Sequence, residues 1–181
     1  MSGSRDIVGI EADRAFRVRA DSIEDLEVVS AMLQDAIVPI SEIAWQRAEG
    51  RFVLMTQRFR WERTHRTGAV DDGLDALGDA NPKTGDAEDD GEAKPAEWFE
   101  RVVCALRFDH VTAVQANGID LSDRAQMLEL LSLHVGDGGV DLAFAGDKTI
   151  RLTVSKLSCL AEDIGQPWPT LQRPGHPEDD Q

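Results

Sequence analysis

The chain has 181 residues, 41% of them apolar and 29% charged, and its 34 acids against 19 lysines and arginines give a formal net charge of -15. That length and apolar content suit one domain, or two small ones sharing a core, able to fold without disulfide staples or a structural metal. The acid excess argues against phosphate-backbone or anionic-lipid binding by the surface as a whole, because such partners need a basic field.

Residues 1–15 read as a flexible N-terminus without the apolar core of a signal peptide, and no stretch approaches the ~20 apolar residues of a membrane span. The two cysteines, Cys104 and Cys159, stand far apart with no CxxC spacing. They read as buried free thiols of a reducing compartment, which with the missing leader predicts a cytoplasmic, soluble protein.

FRVRA at 16–20 suits a short strand. DSIEDLEVVSAMLQDA then predicts a helix with Ser22 as N-cap and Asp25 three residues on, a variant of the capping box. Ile23, Leu26, Val29 and Leu33 fall on one face, with Met32 at its edge, and Pro39 bars continuation. SEIAWQ and RFVLMTQRFRW flank RAEG as a hairpin, completing an N-terminal half over 16–63.

Within 51–63, RFVLMTQRFRWER, four arginines interleave with three aromatics. Strand alternation puts Val53, Met55, Gln57, Phe59 and Trp61 on one face and Phe52, Leu54, Thr56, Arg58, Arg60 and Glu62 on the other. The expectation is a strand that starts in the core and emerges with Arg58 and Arg60 on an exposed face. Alternation separates the arginines from Phe59 and Trp61, so the stretch makes no base-stacking platform, and nucleic acid is not an expected partner.

Residues 64–96 break the pattern, with nine acids and one lysine between Asp71 and Glu92. This composition predicts a disordered acidic connection, tethered where it could fold back over Arg58, Arg60, Arg63 and Arg66. A C-terminal antiparallel half follows over 97–168. WFERVVCALRF places Val102, Cys104, Leu106 and Phe108 on one face, and Asp109-His110 turns the chain into VTAVQA. Asn117-Gly118 turns it again, and Ser122 caps a single helical turn. LELLSLHV, VDLAFAG and KTIRLTV are strands joined at GDGG and Gly146-Asp147. KLSCLAEDIGQPW suits either a short helix closed by Gly165 and Pro167 or a final strand through Cys159. Residues 169–181 read as a flexible tail.

Glu42-Ile43-Ala44-Trp45 and Asp141-Leu142-Ala143-Phe144 share an order of residue types. This is compatible with internal duplication and equally with chance similarity of two period-two hairpins.

LQDA (33–36), RFRWE (58–62), NGID (117–120), LLSL (130–133), AFAGDKTIRL (143–152) and DIGQPW (163–168) follow one another along the chain. This succession resembles the bacterial domain-of-unknown-function family 2948, from about Phe16 to Trp168 with the acidic segment as an interruption. The resemblance implies no activity, cofactor, partner or catalytic residue.

No phosphate-binding loop and no nucleophile elbow appears, and the four histidines are too scattered for a metal site. GDGG leads into a strand and reads as a hairpin turn. Asp35 ends the helix, where a carboxylate opposes the macrodipole, so a compensating arginine is expected from Arg58 or Arg107. The candidate ligand-binding residues are therefore Asp35, Arg58, Arg60, Arg107 and Asp109, with no catalytic residue, metal or cofactor implied.

The expected fold is α+β: mainly an antiparallel β roll or barrel with one N-terminal helix and two similar β-rich halves. Strand count alone also allows a tandem arrangement like pleckstrin-homology domains. The expected function is a non-enzymatic binding or adaptor module for a protein partner or small ligand, using a strand edge or the groove between the halves. The alternative is an enzyme that holds a small anionic substrate in an arginine-lined pocket where those guanidiniums meet Asp35 or Asp109.

Overall fold

The computed structural model describes residues 16–66 and 97–170. Of the segments expected to be flexible or disordered, 1–15, 64–96 and 169–181, residues 64–66 and 169–170 are instead strand, continuing the pairings with the strand Glu97–Phe108, and the rest lie outside the described residues. One helix, α1 (Ile23–Met32), accompanies ten strands. These are β1 (Arg17–Ala20), β2 (Ala36–Pro39), β3 (Ile43–Gln46), β4 (Arg51–Arg66), β5 (Glu97–Phe108), β6 (Val111–Asn117), β7 (Met127–Gly136), β8 (Gly139–Phe144), β9 (Lys148–Val154) and β10 (Cys159–Thr170). Within 156–164 the chain is strand from Cys159 onward: Cys159 and Ala161 are buried at period two, whereas Ile164 on the helical stripe is half exposed.

Every pairing is antiparallel, and the strands form one sheet in the order β1-β10-β5-β4-β2-β7-β8-β9-β6, with β3 paired to β4. The sheet is α+β in class and not closed. The two β-rich parts meet at β2, which pairs with β4 at Ile37 and Gln57 and with β7 along Ala36–Pro39. Thr56 Oγ1 donates to the Ile37 carbonyl and adds a side-chain tie at the same point. Ala20 near one end of the strand order and Val111 at the other belong to the same apolar cluster, so the sheet curls around one core.

Helix α1 packs on that core through Leu26 and Val29. Ser22 Oγ accepts from the Asp25 N–H at 3.2 Å and donates to Asp25 Oδ2 at 2.8 Å, the expected cap. Ile23 is half exposed, so the apolar face begins one turn later than its spacing suggests. The helix runs into Asp35, whose φ of 60° is left-handed and whose N–H donates to the Leu130 carbonyl. Aspartate tolerates that conformation and lets the chain reverse into β2. Ser122 caps no helix; Asp120 Oδ1 accepts from its N–H and hydroxyl, making an Asx turn.

The hairpins β3-β4 and β8-β9 close differently. Trp45 pairs with Phe52 across a turn ending at Gly50, while Phe144 pairs with Lys148 across a three-residue loop. Gly139 opens β8 against β9, and a Cβ there would collide with the Leu152 carbonyl oxygen. Gly139→Ala is expected to cost about 1–3 kcal/mol, as overpacking against rigid backbone does, measured by urea denaturation.

Candidate functional site

The arginine-rich half of β4 does not emerge onto an exposed face. Arg58 is fully buried and Arg60 is 7% exposed, correcting the solvent-facing position expected from alternation. The physical reason is that Arg58, in regular register opposite Val102, shares its face with buried Phe52, Leu54 and Thr56, so that face is still core at this point; only beyond Phe59 does the strand bulge. The register of β4 on β5 shifts between Phe59 and Thr64, opposite Glu100, and that of β10 on β5 shifts between Ile164 and Trp168, opposite Val102, so the two neighbours of β5 bulge on successive sides of Arg101. A bulge inserts residues, bends the strand and re-aims side chains. Phe59 and Arg60 are both buried, so β4 is covered on both faces at this level.

The bend also brings Glu62 back to Arg58. Four residues of regular strand span roughly 13 Å, yet Arg58 Nη2 donates to Glu62 Oε1 at 2.8 Å. From β10, Asp163 accepts both Arg58 Nε and Nη2 at 2.7 Å, a bidentate pair reaching across β5. The Phe16 ring lies 4.6 Å from the guanidinium. Arg60 Nη1 donates to Glu100 Oε2 at 2.7 Å. Burial alone would lower the Arg58 pKa, but bonds to Asp163 and Glu62 and the charges of both acids raise it above its ordinary value. For Glu62, burial is the largest influence and raises the pKa, yet Arg58 and Arg60 bring it below the ordinary range. Both guanidiniums of this cluster are bonded to carboxylates within it, and its geometry is that of a structural clamp.

The other expected residues lie elsewhere. Asp35 is buried, and the guanidinium that feels its charge is that of Arg101 rather than Arg58 or Arg107. Burial lowers the Arg101 pKa, and the charges of Asp35 and Glu129 offset this only partly. Arg107 and Asp109 do meet, at the far end of β5, where Arg107 Nε donates to Asp109 Oδ2 at 3.0 Å. Arg51 Nε donates to the other carboxylate oxygen at 2.9 Å. Burial of Asp109 is outweighed by these arginines, which hold its carboxyl below the usual range. The five residues thus form three separate groups, and none lines either of the two cavities described next.

One cavity, about 520 Å³, is an open polar groove beside Asp141 and Arg151 on β8 and β9. The other, about 380 Å³, lies where the curled sheet fails to close, between β3 and β6. Its walls are Ile43 and Trp45 from β3 and Val114 and Ala116 from β6. Ile43 pairs with Leu54, Trp45 with Phe52, Val114 with Leu152 and Ala116 with Ile150, all buried partners. Paired residues share a face, so all four lie on the inner face of the sheet; Ile43, Trp45 and Val114 pack against the core cluster, and Ala116, further along β6, is exposed. Phe52, Ile150 and Ile40 make the buried floor, and exposed Leu121 and Arg124 stand at the mouth.

One end of this seam is pinned, since the Val111 N–H donates to the Gly50 carbonyl at 2.8 Å. Arg124 is held by donating from Nη2 to the Ser41 carbonyl at 2.9 Å. Arg47 stacks 4.8 Å over the Trp45 ring. Among the described residues there is no group of three or more His, Cys, Asp or Glu able to hold a metal ion. No helix among them is long and apolar enough to cross a membrane.

The profile of the family described as "Protein of unknown function (DUF2948)" matches residues 16–176. The chain belongs to that family. Neither a curated protein nor a solved structure matches it. The match takes in both the clamp and the seam cavity of this DUF2948 chain.

Sequence reasoning missed Asp163, Glu62 and Arg101 as arginine or acid partners, and it missed the cavity. Asp163 lies 105 positions from Arg58, and nothing local joins them. The cavity left a fainter trace: small Val114 and Ala116 on the inner face of β6, facing the seam beside Trp45.

Breaking a buried ion pair by removing one partner strands the other charge. Asp163→Asn is expected to lose about 3–5 kcal/mol of stability, and the double substitution Arg58→Met with Asp163→Leu less than the single one. Urea denaturation measures both. Because Glu62 titrates below its ordinary 4.5, its contribution is complete above the unfolded-state value and disappears as pH falls through the folded-state value. Glu62→Gln should flatten the acid limb of a stability–pH series. Burial pushes the Cys104 thiol up to about 12 and raises Cys159 as well. Both should resist alkylation in the folded protein at mildly alkaline pH and react in denaturant, as read by mass spectrometry.

Proposed function

We propose that this chain is a non-enzymatic binding module that holds a small apolar molecule in the cavity at its β3–β6 seam. The observation that carries this reading is the orientation of the cavity walls. They are inner-face side chains around about 380 Å³ of space, within the size range of small-ligand sites. A cavity of this kind accepts a ligand in place of side chains that would otherwise complete the core.

The enzyme alternative required arginines converging with acids in a pocket. Arg58 and Arg60 converge with acids without a pocket, their charges already bonded to Asp163, Glu62 and Glu100. Arg107 is bonded to Asp109 at a turn. These groups support a structural role more than substrate binding.

The test is saturable binding of octan-1-ol, read by thermal shift and by the change in tryptophan fluorescence that is lost on Trp45→Phe, Trp45 being the tryptophan that lines the cavity. Ala116→Trp places an indole in the space and is expected to abolish the response while leaving the unliganded protein folded by circular dichroism. Absence of saturable binding of either octan-1-ol or octanoate by the parent protein would end this reading.

A further inference from the structure

Resting on that reading, we infer that the ligand of the seam cavity is an amphipathic anion, whose apolar body occupies the cavity and whose acidic group meets Arg124. The chain carries a formal net charge of -15, a field that repels anions. In such a protein an arginine is most readily held by a carboxylate, and Arg51, Arg58, Arg60, Arg107 and Arg151 each have one. Among the described residues, Arg124 has none, in common with Arg19, Arg47 and Arg101, and of these four only Arg124 lines the cavity. Its one hydrogen bond, from Nη2 to the Ser41 carbonyl, anchors the side chain and leaves its other N–H groups available.

The two acids of the loop that carries Arg124 make no ion pair with it and are bonded within the loop instead. Asp120 Oδ1 accepts from the N–H and hydroxyl of Ser122, and Asp123 Oδ1 accepts from the Ala125 N–H. Both carboxylates therefore brace the loop. Leu121 and Arg124 then stand together at the cavity mouth, one apolar and one cationic. Arg47, stacked on the Trp45 wall, adds a second cation without a carboxylate partner among the described residues.

The cavity floor offers no comparable polar group: Phe52, Ile150 and Ile40 are apolar and buried. Polarity is therefore one-sided, with an apolar interior and cations at the rim. A medium-chain carboxylate matches this arrangement, and an uncharged alkane or alcohol leaves the guanidinium unmatched.

The experiment compares octanoate with octan-1-ol, which share a chain length and differ in the charged head, by isothermal titration calorimetry on the full chain. Octanoate is expected to bind at least ~10-fold more tightly, the scale of one charge-assisted contact. Arg124→Gln should remove that preference while leaving octan-1-ol unchanged, and Arg124→Lys should restore part of it. Equal binding of the two probes, or an octanoate preference indifferent to Arg124→Gln, would overturn the anion inference and leave the apolar cavity standing. Loss of both probes on Arg124→Gln assigns Arg124 to loop structure and also overturns it. Failure of both probes on the parent protein would overturn this inference and the binding reading beneath it.

Discussion

A sheet that buries one face against itself must bring its far strands together, and the rest of this fold follows from how that is done. Four residues, Ala36–Pro39, splice the β10-β5-β4 part of the sheet to the β7-β8-β9-β6 part, with β4 on one edge and β7 on the other. That splice lets the strands wrap a single core instead of two. Curling leaves a line along which the edges approach without completing a ladder, pinned at Val111 and Gly50 and open beyond. Unclosed space inside a curled sheet is lined by inner-face residues by construction. The seam cavity is thus the geometric remainder of the fold's main packing solution.

The buried arginine clamp does a different job. Arg58 is too polar to be buried alone, and its position is tenable only because Asp163 and Glu62 satisfy its guanidinium fork. Those two acids arrive from opposite directions: Glu62 through the β4 bulge and Asp163 from the strand on the other side of β5. The clamp therefore couples the register of three strands to one charge balance. A slip of either flanking strand would leave a charge without its partner, a penalty that disfavours misregistered forms.

The parts of this structure legible in the sequence are those encoded by near neighbours. The Ser22 cap, the β3-β4 hairpin and the buried face Val102–Cys104–Leu106–Phe108 all rest on spacings of a few residues, and all are present. Where the reading failed, distant residues or an interrupted period were responsible. Alternation gave Arg58 and Arg60 the right common face as Phe52 and Leu54, but took their charge as proof that this face had left the core. Strand β2 has no outline of its own in the sequence because four residues ending in a proline carry too little pattern to stand out. Asp35 was singled out for its carboxylate, whereas its left-handed backbone is what turns α1 into β2. The cavity depends on the mutual approach of β3 and β6, which no local pattern records.

Arg66 and Glu97 face each other as register partners at the ends of β4 and β5. The 30 residues numbered between them therefore join two points that the sheet already holds side by side. Closing such a connection costs only about 0.6 kcal/mol more for each doubling of its length. The fold is consequently almost indifferent to what is carried there. A reporter domain whose own termini lie close together could be housed at this junction without loading the core, the clamp or the seam.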